Sequence, residues 1–201
     1  MSHKKAKLFF KKDKHFKNID VPKIPERNKR NHFDTLVTSI VYQQISGKAA
    51  SSIYSRLKAY CKGRITPEKI SKTRPAQLKK LGLSPQKTSY IKDLSKKFLN
   101  KEVNTRKFPS LTNDEVIEEL TKIKGIGVWT AQMFLIFHLG REDVFPVADL
   151  GVQKAFTKLF SVSDVSQMES ISKKWEPYRT YASLMLWKTI DTVNPDGESD
   201  W

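Results

Sequence analysis

Three groups of residues in this 201-residue sequence have types and spacings that could do chemistry. The first is Gly125 and Gly127, one residue apart in the helical pattern Thr121-Lys-Ile-Lys-Gly-Ile-Gly-Val-Trp-Thr-Ala131. Glycines so placed permit positive φ in a tight turn and let another backbone come close. A helix starting there turns unpaired amides outward, where they and the helix dipole favour an anion such as phosphate. The plainer reading is a turn between two core helices. The second is Asp149, which ends Val144-Phe-Pro-Val-Ala-Asp149 directly ahead of an apolar-periodic stretch. Its carboxylate could cap the next helix or stabilise positive charge nearby, and the two roles are compatible. The third is a set of aromatics, Trp129, Tyr178, Tyr181 and Trp187. Each could stack on a flat or cationic ligand for about 0.5–2 kcal/mol per ring, and each could equally be core packing.

Composition narrows the partners. Lys and Arg number 37 against 21 Asp and Glu, a net charge of +16. That suits a polyanion, nucleic acid first and an anionic membrane surface second. No apolar run reaches the ~20 residues of a membrane span, and Leu8-Phe9-Phe10 is too short for a signal-peptide core. The single cysteine, Cys61, excludes an internal disulfide and a cysteine-based metal cluster. An intracellular setting is expected, cytoplasmic in a prokaryote and nuclear in a eukaryote.

The elements that must position these residues read as helices throughout. Residues 1–32 form a basic segment with one short docked helix anchored by Leu8, Phe9, Phe16 and Ile19. Asp34 is expected to cap a helix to about Ser46, and a second runs from about Lys48 to Cys61. The join between them, Tyr42-Gln43-Gln44-Ile45-Ser46, sets two amides where an apolar stripe should continue. Thr66-Pro67 and Ser84-Pro85 each pair a hydroxyl cap with proline in the first turn. They open helices to about Lys72 and Phe98, with another over 75–81 ended by Gly82. Residues 100–111 read as a loop, after which Thr112 or Asn113 caps a helix leading into the glycine turn. Val128–Leu139 is apolar on nearly every face and reads as a buried helix. Helices follow Asp149 and span roughly 164–175, and Pro177 is expected to start the last one. The acidic tail Asn194–Trp201 is expected to be mobile. Sustained apolar–polar alternation is absent, so no sheet is expected.

The motifs resemble a known family. Ile123-Lys-Gly-Ile-Gly-Val-Trp-Thr-Ala131 resembles the helix-hairpin-helix of the DNA glycosylase superfamily, and Val144–Asp149 resembles its Gly/Pro-rich loop and catalytic aspartate. Hairpin and aspartate also follow in the family's order, roughly twenty residues apart. Trp175-Glu-Pro-Tyr-Arg-Thr-Tyr-Ala182, with Trp187 beyond it, is similar to the alkylation-repair branch, the 3-methyladenine DNA glycosylase II type, in its compact form. The resemblance covers roughly residues 33–192. It implies an all-α fold of two helical subdomains with a DNA-binding cleft between them. One is a six-helix bundle, residues 33–136, containing the helix-hairpin-helix. The other combines 1–32 with 137–201 and carries the Asp loop.

The resemblance also implies the chemistry. The partner is double-stranded DNA containing damaged bases, with no membrane, and the protein acts as a monomer. The position held by a nucleophilic lysine in bifunctional members is Trp129 here, so base release without strand cleavage is implied. Asp149 is the implied catalytic residue. Opposite charges ~4 Å apart at an effective dielectric near 20 interact by about 4 kcal/mol, roughly a thousandfold in rate. Trp129, Trp187, Tyr178 and Tyr181 are implied in the base pocket. Gly125, Gly127, Lys124 and Thr130 are implied to hold the DNA backbone, and Gln44 or Ile45 to fill the gap left by an extruded base. The carbonyls of Thr121, Ile123 and Ile126 are implied ligands of a monovalent cation. No cofactor is required, and the iron–sulfur branch is excluded by the missing cysteines. Other damaged bases (hypoxanthine, uracil, an oxidised purine) and a non-catalytic DNA binder remain as alternatives.

Overall fold

The computed structural model describes residues 2–25 and 30–190. All regular structure among them is helical. The acidic tail singled out in the sequence lies outside the described residues. Helices α1 (Ser2–Phe10), α2 (His32–Tyr42), α3 (Gly47–Tyr60), α4 (Pro67–Lys72), α5 (Pro75–Lys80) and α6 (Pro85–Leu99) are followed by α7 (Asn113–Thr121) and α8 (Val128–Met133). After the Asp149 loop come α9 (Leu150–Phe160), α10 (Val165–Ser172) and α11 (Arg179–Lys188). No described helix is long and apolar enough to cross a membrane.

The chain divides into two compact units. Residues 30–134 form one, and residues 2–25 with 135–190 form the other. In the first unit the core is built from Leu36, Ile40, Leu57, Ile70, Leu78 and Ile91, all fully buried. Burying each such side chain stabilises the fold by about 1.5–3 kcal/mol. In the second unit Trp175 is 2% exposed, and the rings of Phe16, Phe145, Phe156 and Phe160 surround it at 5.2–5.8 Å between centroids. Its indole Nε1 donates to Asp13 Oδ2 at 3.2 Å, which ties the N-terminal segment to this core. Ala6, Phe10 and Phe16 seat that segment, whereas Leu8 is 64% exposed and anchors nothing.

Local chemistry decides the helix starts. Thr66, Ser84 and Thr112 cap α4, α6 and α7 through their side chains, and Glu115 completes a capping box with Thr112. Several boundaries differ from the sequence expectation. Asn31, not Asp34, caps α2, because its side chain lies one turn earlier and accepts from the Asp34 amide at 2.8 Å. Asp34 instead accepts from the Tyr54 hydroxyl at 2.9 Å. A 3₁₀ turn over Thr105–Ser110 inserts buried Phe108 where a loop was expected. The expected helix Val128–Leu139 stops as α-helix at Met133 and continues as a π turn, Phe134–His138. Its first residue, Val128, is 52% exposed. Pro177 lies ahead of α11, which begins at Arg179.

Candidate active site

The loop before α9 is held by the first turns of α11. Thr180 donates its amide to the Glu142 carbonyl at 2.9 Å and its hydroxyl to the Arg141 carbonyl at 2.7 Å, and its hydroxyl accepts from the Val144 amide at 3.0 Å. Arg179 grips Asp143 in a two-pronged pair, Nε to Oδ1 at 2.7 Å and a terminal nitrogen to Oδ2 at 2.9 Å. That geometry suits the rigid guanidinium fork and not lysine. Ser183 donates to the Val144 carbonyl at 3.3 Å. Gln153, reaching back from α9, donates to the Val147 carbonyl at 2.9 Å. A polar loop is thereby fixed on both sides before it reaches Asp149.

Asp149 is the N-cap of α9. Its Oδ1 accepts from the Val152 amide at 2.8 Å and from the Trp187 indole Nε1 at 2.8 Å. The carboxylate is half-buried. Two donors aimed at one oxygen, at the N-terminus of α9, hold the carboxyl group in place. Gly151 makes the arrangement possible. A Cβ there would lie 3.0 Å from Asp149 Oδ1 and 3.0 Å from Trp187 Cδ1, closer than a real side chain tolerates without displacing one of them. Trp187 also stacks on Phe137, with centroids 5.9 Å apart and planes 25° from parallel. Capping and charge placement, the two readings of Asp149, thus coexist in one geometry.

The other expected aromatics sit differently. Tyr181 is 3% exposed, lies in the core of its unit, and directs its hydroxyl to Glu142 at 3.3 Å. Its packing accounts for it without a ligand. Tyr178 is half-buried at the start of α11, with its ring edge-on to Phe9 and Tyr181. Trp129, half-buried in the first turn of α8, belongs to the other unit.

The glycine turn between α7 and α8 is a hairpin whose two glycines answer to different causes. Gly125 has φ +81°, and a Cβ there would lie 2.1 Å from the Tyr90 ring, so the protein's own packing demands glycine. Gly127 has φ −93°, and a Cβ on it would meet nothing within 4 Å. Neither backbone nor neighbours require glycine at 127, which leaves the surface open to a backbone approaching from outside. Gly127 is the N-cap of α8 and supplies no side-chain cap hydrogen bond. Lys124 is exposed, and its amide donates to Asp93 Oδ2 at 2.9 Å. Thr130 is 5% exposed. The Ile123 and Ile126 side chains are buried and pin the turn. The Ile123 carbonyl accepts from the Ile126 amide at 3.1 Å.

Gln44 and Ile45 project from the join between α2 and α3. Gln44 has φ +57°, a left-handed backbone rare for a side chain of this kind, and is exposed. Ile45 is 40% exposed. Sequence reasoning missed Phe137, Gly151, Arg179 and Thr180. Phe137 is one of many apolar residues in its run, Arg179 and Thr180 act through contacts far away in the chain, and Gly151 matters through the space it leaves beside Asp149 and Trp187.

The base excision DNA repair family described as the HhH-GPD superfamily matches residues 37–179. DNA-3-methyladenine glycosylase 1 of Schizosaccharomyces pombe is 34% identical over 167 residues, 80% of this chain and 73% of that protein. The chain spans 59% of the length of a Bacillus subtilis relative, to which it is 32% identical over 171 residues. Among solved structures, a DNA-3-methyladenine glycosidase from Bacillus halodurans is similar with a TM-score of 0.83 and 33% identity, over 96% of this chain and 90% of that one. The Schizosaccharomyces pombe 3-methyladenine DNA glycosylase in complex with abasic DNA gives 0.78 and 29%, over 98% of both chains.

Proposed function

This chain belongs to the HhH-GPD superfamily of base excision DNA repair proteins, and on that premise we propose that it is a monofunctional DNA glycosylase releasing alkylated purines of the 3-methyladenine and 7-methylguanine type. Its partner is double-stranded DNA containing such bases. The observation that carries the reading is the Asp149 carboxylate, fixed by Val152 and Trp187 on a loop clamped from α11.

The residues divide the work as follows. Open Gly127, the first amides of α8 and the Lys124 charge hold a DNA phosphate beyond the lesion. Gln44 or Ile45 fills the gap in the stack once the damaged nucleotide is extruded. The carbonyls of Thr121, Ile123 and Ile126 are neutral oxygen donors at and just after the end of α7. That donor set fits a hard monovalent cation rather than a transition metal, and such an ion would help bind phosphate.

An alkylated purine is cationic, so its ring is drawn to an aromatic face such as that of Trp187. The bond between sugar and base breaks with its electron pair leaving on the base, which departs neutral and needs little acid catalysis. Positive charge builds on the sugar, and the Asp149 anion stabilises it. Water then bonds to the sugar carbon, and its proton passes to the carboxylate and on to solvent. The product is an abasic site in an uncut strand, since Trp129 stands where a nucleophilic lysine would be.

The test is release of 3-methyladenine and 7-methylguanine from methylated duplex DNA by wild type and Asp149→Asn. Release by wild type, with strand breaks only after alkali, and its loss in a variant that still binds DNA support the reading. Binding without release by wild type removes the alkylpurine assignment.

A further inference from the structure

One face of α6 braces both the α2–α3 join and the hairpin. Lys87, Tyr90 and Asp93 follow at three-residue intervals and share that face. Lys87 Nζ donates to the Val41 carbonyl at 2.6 Å, in the last turn of α2. Tyr90 fills the space beside Gly125 where a side chain would stand, and its hydroxyl accepts from Gln86 at 2.6 Å. Asp93 accepts from the Lys124 amide at 2.9 Å. The frame is closed by Gln43, whose Nε2 donates to the Gly125 carbonyl at 2.8 Å across 82 residues of sequence. Its neighbour Gln44 is the residue in the left-handed conformation. A strained exposed tip persists only where its surroundings over-determine it, and the bonds from Lys87 and Gln43 hold the chain immediately ahead of it.

We infer that Gln43 is a positioning residue for base extrusion. It fixes the distance and angle between the inserting tip, Gln44-Ile45, and the hairpin that grips the backbone. The inference rests on the roles assigned above to that tip and that hairpin. Gln43 donates its amide inward, so it holds the tip and does not itself enter DNA. A rigid link makes the gripped phosphate the reference point for insertion. Without it the hairpin still binds, but the tip meets the stack out of register, and misplacement of about 1 Å can cost two orders of magnitude.

The test compares wild type with Gln43→Met, which keeps length but cannot donate, and Gln43→Glu, which opposes the Gly125 carbonyl with an acceptor. Each is mixed with duplex carrying 2-aminopurine beside the lesion, whose fluorescence rises when the stack opens. Binding to undamaged duplex should stay within about threefold, because phosphate contacts are retained. The fluorescence rise and the single-turnover release rate should fall together by roughly ten- to a hundredfold. Unchanged fluorescence and release in both variants, at an unchanged melting temperature, would overturn the inference, as would a loss confined to binding. Should a variant fail to fold, the wild-type Gln43 side-chain amide decides by NMR: slowed hydrogen exchange upholds the inward bond, and solvent-like exchange refutes it. A wild type that opens the stack but releases no base leaves the positioning role standing while removing the alkylpurine assignment. A wild type that does not open the stack removes the positioning role with the tip's.

Discussion

The Trp187 indole nitrogen lies 2.8 Å from Asp149 Oδ1, joining residues 38 apart in sequence. The tryptophan therefore serves the carboxylate through its edge while its face lies against Phe137. Those two jobs can be separated by substitution.

Trp187→Phe keeps an aromatic face and removes the donor. A hydrogen bond to a charged group contributes about 1.5–3 kcal/mol, so base release in single-turnover assays should slow by roughly ten- to a hundredfold. DNA affinity should hold. An unchanged rate would show that the indole nitrogen does not position Asp149 for chemistry.

Gly151→Ala should injure the same contact from below. Its methyl group would press on both Asp149 and Trp187 at 3.0 Å. Overpacking of this kind costs about 1–3 kcal/mol, a fall in Tm of roughly 2–10 °C in a chain this long. The loss of activity should shrink when Trp187→Phe is already present, because the two changes disturb one pair. Additive losses in the double variant would count against a shared cause.

The two hairpin glycines should respond oppositely to alanine. Gly125→Ala meets the Tyr90 ring and a φ of +81°, so stability should fall by about 2–4 kcal/mol. Gly127→Ala meets open space at an ordinary φ. Its thermal melting should be unaltered while its affinity for DNA drops. Equal melting curves for both variants would contradict this division.

Asp34 and Tyr54 predict a pH dependence. Burial is the largest influence on both and raises both: Asp34 above its ordinary 3.8, and Tyr54 from 10.0 to about 12. A group whose pKa is raised on folding adds stability that is complete below its unfolded value and disappears as pH rises through the folded one. Wild type should therefore lose stability just above pH 3.8, and again between pH 10 and about 12. In denaturant titrations Tyr54→Phe should abolish the alkaline loss, and Asp34→Asn should remove the acid-side step. Parallel pH profiles for wild type and Tyr54→Phe would exclude the tyrosine.

Much of this was readable in the sequence because it depends on short-range chemistry. Ser84-Pro85 specifies one helix start and Thr112 or Asn113 another, and the structure has α6 and α7 beginning there, with Thr112 as the cap. The helical class followed from apolar spacing and cap signals together, and the resemblance implied the same. Asp149 was visible both as a cap and as a candidate anion. Its tryptophan donor was not, because indole nitrogens carry no local signature. Lys87 and Tyr90 of α6 carry no local signal of a shared role, and Gln43 is one of two adjacent amides in the α2–α3 join. Their common purpose lies in contacts 46 and 82 residues away in sequence, or in the missing side chain of Gly125. Asn31 outranked Asp34 as a cap because α2 begins earlier than its apolar stripe. Phe137 was hidden in a run apolar on nearly every face, and the π turn that carries it has no distinct composition.

The double use of Asp149 Oδ1 bears on how such a chain can drift. Serine, threonine and asparagine also cap helices well, so any of them at 149 would keep α9 started and the fold intact while removing the anion. Selection for folding alone cannot protect the aspartate. On the proposed function, a copy with asparagine at this position would keep the fold and lose base release by a single replacement. On the same reading, retention of aspartate at 149 would answer to the reaction and not to the fold.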